Sequence, residues 1–233
     1  MEKIHGFLTL HCRDCGKIWR SSMNCGHRTC KECRQKWFGR FFSPVLGIVK
    51  EWPRVYFMTL TLKNFDDLQA TDIKRLRGYF GKLRKRYSWN MRGGFYVIQA
   101  TNNGKGWHLH LHILYDGLFI SKKALSAAWL EITKTSFIVD VKRAENPRTA
   151  VRYILRDFLQ GPRIRPEDFG PYERAFYGVR VIQGFGHCRS AKLHERGVCP
   201  YCGAVHSLEV IHRFPGSSDR FDEMNNWQEA EAP

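Results

Sequence analysis

Residues 55–62, VYFMTLTL, alternate strictly: Tyr56, Met58, Leu60 and Leu62 fall on one side, Phe57, Thr59 and Thr61 on the other. Strand side chains point to opposite faces in turn, so this period predicts a strand with one apolar and one mixed face. The same period returns twice. In GFYVIQATNN, Tyr96, Ile98 and Ala100 oppose Val97, Gln99 and Thr101; in GWHLHLHILYDG (106–117), Leu109, Leu111 and Ile113 oppose His108, His110 and His112. The intervening NNGKG is turn chemistry, so these two strands are read as a hairpin. With the apolar rows on the covered side, Gln99 joins the histidines on the opposite face.

Helical spacing fills the gaps. TDIKRLRGYFGKLRKRY sets Ile73, Leu76, Phe80, Leu83 and Tyr87 on one stripe and turns Lys74, Arg75, Arg77, Lys82, Arg84, Lys85 and Arg86 mostly outward, an amphipathic helix with a basic face. A further helix is expected around 122–134, a strand around 137–143, and a helix from Pro147 to Gln160, with Asn146 as its cap and Pro147 in the first turn. This order predicts an α+β fold: an antiparallel sheet with helices on one face, in the manner of RNA-recognition-motif or ferredoxin-like domains. In the last helix Val151, Ile154, Leu155 and Phe158 form the apolar stripe. At about 100° per residue, Tyr153 points roughly 150° away from the centre of that stripe. It is an exposed phenol, with Thr149, Arg156, Asp157 and Gln160 around it on the polar face.

Charge changes the picture more than length does. The 233 residues carry a net charge of +16. Residues 72–92 hold eight Lys or Arg against one Asp, whereas 217–233 hold five acids and one Arg. A body this basic expects a polyanion, most simply nucleic acid, and the acidic end is expected to be a disordered tail. No apolar run approaches the roughly 20 residues of a membrane helix, and the N-terminus lacks a signal-peptide pattern, so a cytoplasmic protein without a membrane partner is expected.

The eight cysteines include three Cys-x-x-Cys pairs, Cys12/Cys15, Cys30/Cys33 and Cys199/Cys202. In a chain without a signal sequence, thiolate zinc sites are favoured over disulfides. Cys12, Cys15, Cys30 and Cys33 read as one zinc ribbon, with Cys25, His27 and His11 in the same stretch. A second site is expected from Cys199, Cys202 and His206, with Cys188, His187 or His194 in fourth place and Cys188 preferred. The chain then divides into a zinc module (1–50), a catalytic domain (51–185), a C-terminal zinc module (186–216) and the tail (217–233).

Three imidazoles at alternate positions of one strand can converge on a divalent ion. Two other chemistries share parts of this pattern. Histidine-triad nucleotide hydrolases alternate histidine with apolar residues but need no metal, and leave the charge, the cysteines and Tyr153 without a use. A non-enzymatic zinc-ribbon protein binding single strands accounts for everything except the histidine and tyrosine geometry.

FMTLTL, GWHLHLHIL and VRYILRDF, in this order, resemble the three motifs of HUH endonucleases, and more closely the single-tyrosine replication initiators of rolling-circle plasmids and phages. A cysteine cluster like CGHRTCKECRQKW also precedes such domains, so the resemblance spans most of the chain. It implies that His110 and His112, with His108 or Gln99 completing the site, hold Mg²⁺ or Mn²⁺ against the scissile phosphate. Tyr153 attacks, and the enzyme becomes linked to the 5′ end of the nicked strand. Helical spacing sets Arg156 beside the nucleophile and Asp157 one turn beyond it, a carboxylate expected to take the phenolic proton or later to activate water. Gln99 stands where the family often has Glu, and Arg156 where it usually has Lys. The implied partners are single-stranded or hairpin origin DNA and, since no P-loop motif occurs, a host helicase and polymerase. A single-strand transposase of the same class shares these motifs.

Overall fold

The computed structural model describes residues 5–180, 182–193, 199–204 and 208–214. It separates into two compact units, one of Met1–Cys33 with His194–Pro233, the other of Arg34–Leu193.

The smaller unit is a three-stranded antiparallel sheet. Strand β1 (Phe7–Cys12) lies between β2 (Ile18–Ser22) and β8 (Leu208–Phe214), the last strand among the described residues. The sequence leads to two separate cysteine modules, at 1–50 and 186–216; here the two cysteine-bearing ends share one sheet instead. Helix α1 (Lys31–Val49) was not anticipated either, and most of it belongs to the larger unit. Stacked rings, Phe7 on Phe214 and Phe38 on Phe42, stabilise each locally.

The larger unit holds a five-stranded antiparallel sheet built from β3 (Val55–Thr61), β4 (Met91–Asn102), β5 (Trp107–Gly117), β6 (Val139–Arg143) and β7 (Gln183–Gly186), in the order β6-β3-β5-β4-β7. The histidine strand β5 is central. Its hairpin with β4 closes through Gly104 and Gly106, at φ 86° and 83°, conformations that glycine adopts without a Cβ penalty. Helices α2 (Ala70–Arg86), α3 (Lys122–Thr133) and α6 (Phe169–Ala175) complete the core with the apolar rows: Met58, Leu60, Ile98, Leu109, Leu111 and Ile113 pack with Leu76, Phe80, Leu83, Trp129 and Phe176.

Two expectations are corrected. Helices do not keep to one face, because α4 (Pro147–Ile154) brings Tyr153 onto Phe57 and His112 on the histidine side. The helix expected to run unbroken to Gln160 ends at Ile154. Leu155, at φ −94° and ψ 10°, separates it from α5 (Arg156–Gln160). A straight helix would bury only the Val151/Ile154/Leu155/Phe158 stripe; with the break, Asp157 turns inward too. Asn146 caps α4 as expected, its side chain accepting from the Thr149 amide.

Among the described residues no helix is long and apolar enough to cross a membrane.

Candidate functional site

Register places the polar row. Across β4, Gln99 faces His110, and Val97 faces His112; across β3, Thr61 faces His110 and Thr59 faces His112. The imidazoles run in file along β5, with ring centroids 4.9 Å apart for His108/His110 and 5.1 Å for His110/His112. His110, His112 and Gln99 are 7%, 5% and 2% exposed, while His108 lies half-buried at the edge.

Burial sets their chemistry. Desolvation penalises an imidazolium, and it pulls His110 and His112 down to about 3, with the positive groups Arg156 and Arg163 adding to the effect. His108 is lowered by the same cause. These are neutral imidazoles, the form that donates a lone pair. His112 Nδ1 lies 3.1 Å from Thr59 Oγ1, whereas its Nε2 has no hydrogen-bond partner. Neither atom of the Gln99 amide has one. Buried polar atoms are satisfied in the great majority of cases, so three orphaned donors or acceptors on one patch call for something that satisfies them.

Tyr153 stands over this patch. Its ring is perpendicular to that of His112, at 84° with centroids 5.7 Å apart, and it is 42% exposed. The Arg156 guanidinium lies 5.0 Å from the Tyr153 ring centroid. The structure thus brings together Gln99, His110, His112, Tyr153 and Arg156. Asp157 is placed differently from the exposed polar face: it is buried, its carboxylate lies 3.9 Å from Arg156 Nε, and its carbonyl accepts from Arg34.

The cysteines are regrouped. Cys12 and Cys15 meet Cys199 and Cys202, while Cys30 and Cys33 meet Cys25 and His5, so the expected ribbon of Cys12, Cys15, Cys30 and Cys33 is divided between two clusters. Sulfur separations are 3.7 Å for Cys12/Cys202 and for Cys15/Cys199, close to the roughly 3.8 Å edge of a tetrahedron with Zn–S of about 2.3 Å. His5 Nε2 lies 3.2 Å from Cys30 and 3.3 Å from Cys33, and its Nδ1 lies 3.0 Å from Glu32, a carboxylate placed to orient a ligating imidazole. Cys25 and Cys33 hold their sulfurs 3.4 Å apart, and this hydrogen bond lowers one thiol of the pair, Cys25, towards the thiolate that metals bind while raising the other. Each cluster could hold a metal ion such as zinc. Cys188 joins neither: it is buried in the larger unit, where desolvation pushes its thiol up to about 11. His206 and His194 lie outside the described residues, as does the tail 217–233.

Sequence reasoning missed His5, a single histidine with no motif spacing to the cysteines it meets. It also left Thr59 and Phe57 as anonymous members of an alternating row, though their register with β5 decides what surrounds His112.

No family model matches the chain, and no curated protein does. Among solved structures, the hypothetical protein ORF119 from Sulfolobus islandicus rod-shaped virus 1 is similar at 10% identity, over 49% of this chain and 90% of that one, with a TM-score of 0.33.

Proposed function

We propose that the larger unit is a metal-dependent nickase of the replication-initiator kind, which cuts single-stranded origin DNA through Tyr153 and later rejoins the strand. The observation that carries this reading is the meeting of Tyr153 with His112: a solvent-facing phenol stands against buried, neutral imidazoles and an amide with no protein partner.

The donor set fits Mg²⁺ or Mn²⁺, with two imidazoles and the Gln99 carbonyl oxygen as the residues that would hold it, the nitrogen ligands favouring Mn²⁺. A divalent ion there supplies positive charge to the non-bridging oxygens of a phosphodiester. Thr59 orients His112: with Nδ1–H donating to Thr59 Oγ1, Nε2 keeps its lone pair. Tyr153 Oη forms a bond to phosphorus and the P–O3′ bond breaks. The phenolic proton passes to water and the departing 3′ oxygen takes one up, leaving Tyr153 esterified to the 5′ phosphate. Arg156 remains charged throughout and pairs with phosphate oxygens rather than relaying the proton. Attack by a free 3′-OH reverses the step and reseals DNA without ATP. The basic face of α2 and the charge of +16 supply sequence-independent phosphate contacts, host helicase and polymerase the unwinding and synthesis, and zinc in the two clusters a structural staple.

The test is a random single-stranded DNA pool labelled at its 3′ ends, incubated with the protein and Mn²⁺. The label should move to a protease-sensitive covalent adduct, and it should not do so in EDTA. Bound but uncut DNA under these conditions would overturn the reading.

A further inference from the structure

Tyr153 is also one wall of a pocket that nothing so far uses. This pocket, of about 200 Å³, lies between the end of β6 and α4, lined among others by Phe57, Tyr153, Ala144, Lys142, Glu145 and Asn146. Its walls are two rings at right angles, Phe57 against Tyr153 at 87° with centroids 4.9 Å apart. Its polar groups are of complementary kinds. The Lys142 ammonium reaches 5.9 Å from the Phe57 ring centroid, and Glu145 adds a carboxylate. Asn146 spends its carbonyl on the Thr149 amide, which leaves its NH₂ as a donor.

A flat heterocycle with a π face and a polar edge matches this lining. Size agrees: a cavity of about 150 Å³ is enough for benzene, so the present one takes a single base ring and not a whole nucleoside. Position agrees as well, because a phosphate within reach of Tyr153 Oη carries its neighbouring bases to within one nucleotide of the same ring. Lys142 and Asn146 offer donors to carbonyl oxygens, Glu145 an acceptor to a ring N–H, and Ala144 an apolar contact to a methyl group. That combination is the edge of thymine.

We propose that the Phe57/Tyr153 pocket takes one unstacked base beside the scissile phosphate, a keto pyrimidine in preference to the other bases. The pocket thereby contributes to the choice of cleavage site. This rests on the nickase reading for where the base lies along the strand, while the occupancy of the pocket by a base is tested apart from cutting.

Two measurements separate the claims. In the first, both ends produced by cutting the random pool are sequenced; one position next to the cut should be enriched in thymine by about tenfold, equivalent to about 1.4 kcal/mol. Lys142→Ala and Ala144→Leu should each reduce the enrichment to about twofold at that position alone. In the second, a single-stranded pool carrying 5-iododeoxyuridine for thymidine is irradiated on the protein and the cross-linked residues are mapped. Cross-links should fall on Phe57 or Tyr153 and be lost in Ala144→Leu; the exposed Lys142→Ala serves the same purpose if the larger side chain disturbs folding. Cross-links at Phe57 without any adduct would sustain the pocket and overturn the nickase. Adducts whose flanking preference both variants leave untouched, with cross-links elsewhere, would overturn the pocket and leave the nickase standing.

Discussion

Gln99 and His110 face each other directly across the β4–β5 hairpin, both buried, and the Gln99 amide satisfies neither its oxygen nor its nitrogen within the protein. An unsatisfied buried polar group costs about 1–3 kcal/mol, so the fold without metal is less stable here than an apolar side chain would make it. Gln99→Leu should therefore gain about 1–2 kcal/mol of unfolding free energy in EDTA and lose most of the rise in melting temperature that Mn²⁺ gives the wild type. Gln99→Glu should do the reverse, because a carboxylate costs more to bury and binds a hard cation better. Urea melts with and without Mn²⁺ decide; a Gln99→Leu protein no more stable than wild type in EDTA counts against an amide waiting for a ligand.

Tyr153→Phe removes one oxygen from a ring that is already held by Phe57 and His112. Packing survives, since the edge contacts involve the ring itself. Covalent adduct should fall to background while affinity for single-stranded DNA stays within about twofold, because binding rests on many phosphate contacts. Gel shift and adduct assays on the same preparation test both halves, and residual cutting at wild-type rate would assign the nucleophile elsewhere.

The buried histidines make stability depend on pH with a definite sign. His110 and His112 stay neutral in the fold to about 3, whereas an unfolded histidine titrates near 6.5. Above about pH 6.5 neither state binds these protons and the pair contributes nothing. Below it the unfolded chain takes up two protons that the native chain refuses, so stability falls by about 1.4 kcal/mol per pH unit for each histidine until the folded values are reached. In EDTA the urea midpoint should drop between pH 7 and 5, and a His110→Gln, His112→Gln double variant should lose that share of the slope. Equal slopes for the two proteins would mean that the imidazoles are not held neutral.

What could be seen in the sequence follows the range over which physical causes act. Alternation is local, so β3, β4 and β5, their apolar rows and the shared face of Gln99 with the histidines were all legible. Helical period is local too, and it found α2 and α3 to within a residue or two. The break at Leu155 was not, because Val151, Ile154, Leu155 and Phe158 keep the spacing of one unbroken helix across it. Nor was the covering of the histidine face by α4, since the same stripe of Val151 and Ile154 would pack on either side of a sheet. The cysteine partners were the least accessible: Cys12/Cys15 and Cys199/Cys202 become neighbours only because β8 returns to pair with β1, a register fixed by topology rather than by spacing.

Cys12 and Cys202 hold their sulfurs 3.7 Å apart across 190 positions of sequence, which makes the smaller unit a joint product of both chain ends. Two zinc ions per chain are expected by elemental analysis, one from each cluster. Cys199→Ser should retain one, and Cys12, Cys15 and Cys202 should then react with a thiol reagent while Cys25, Cys30 and Cys33 remain protected. The contiguous grouping of Cys12, Cys15, Cys30 and Cys33 makes the opposite forecast, since a serine at 199 would leave all four shielded. In the other cluster, Glu32→Gln should weaken zinc retention about tenfold in a chelator competition, because the carboxylate on His5 Nδ1 fixes which nitrogen faces the sulfurs. His5→Ala should go further and free Cys25, Cys30 and Cys33 for modification, as zinc binding and folding are one equilibrium in a module this small. A Cys199→Ser protein that keeps two zinc ions and silent thiols would overturn the division of the cysteines between the two clusters.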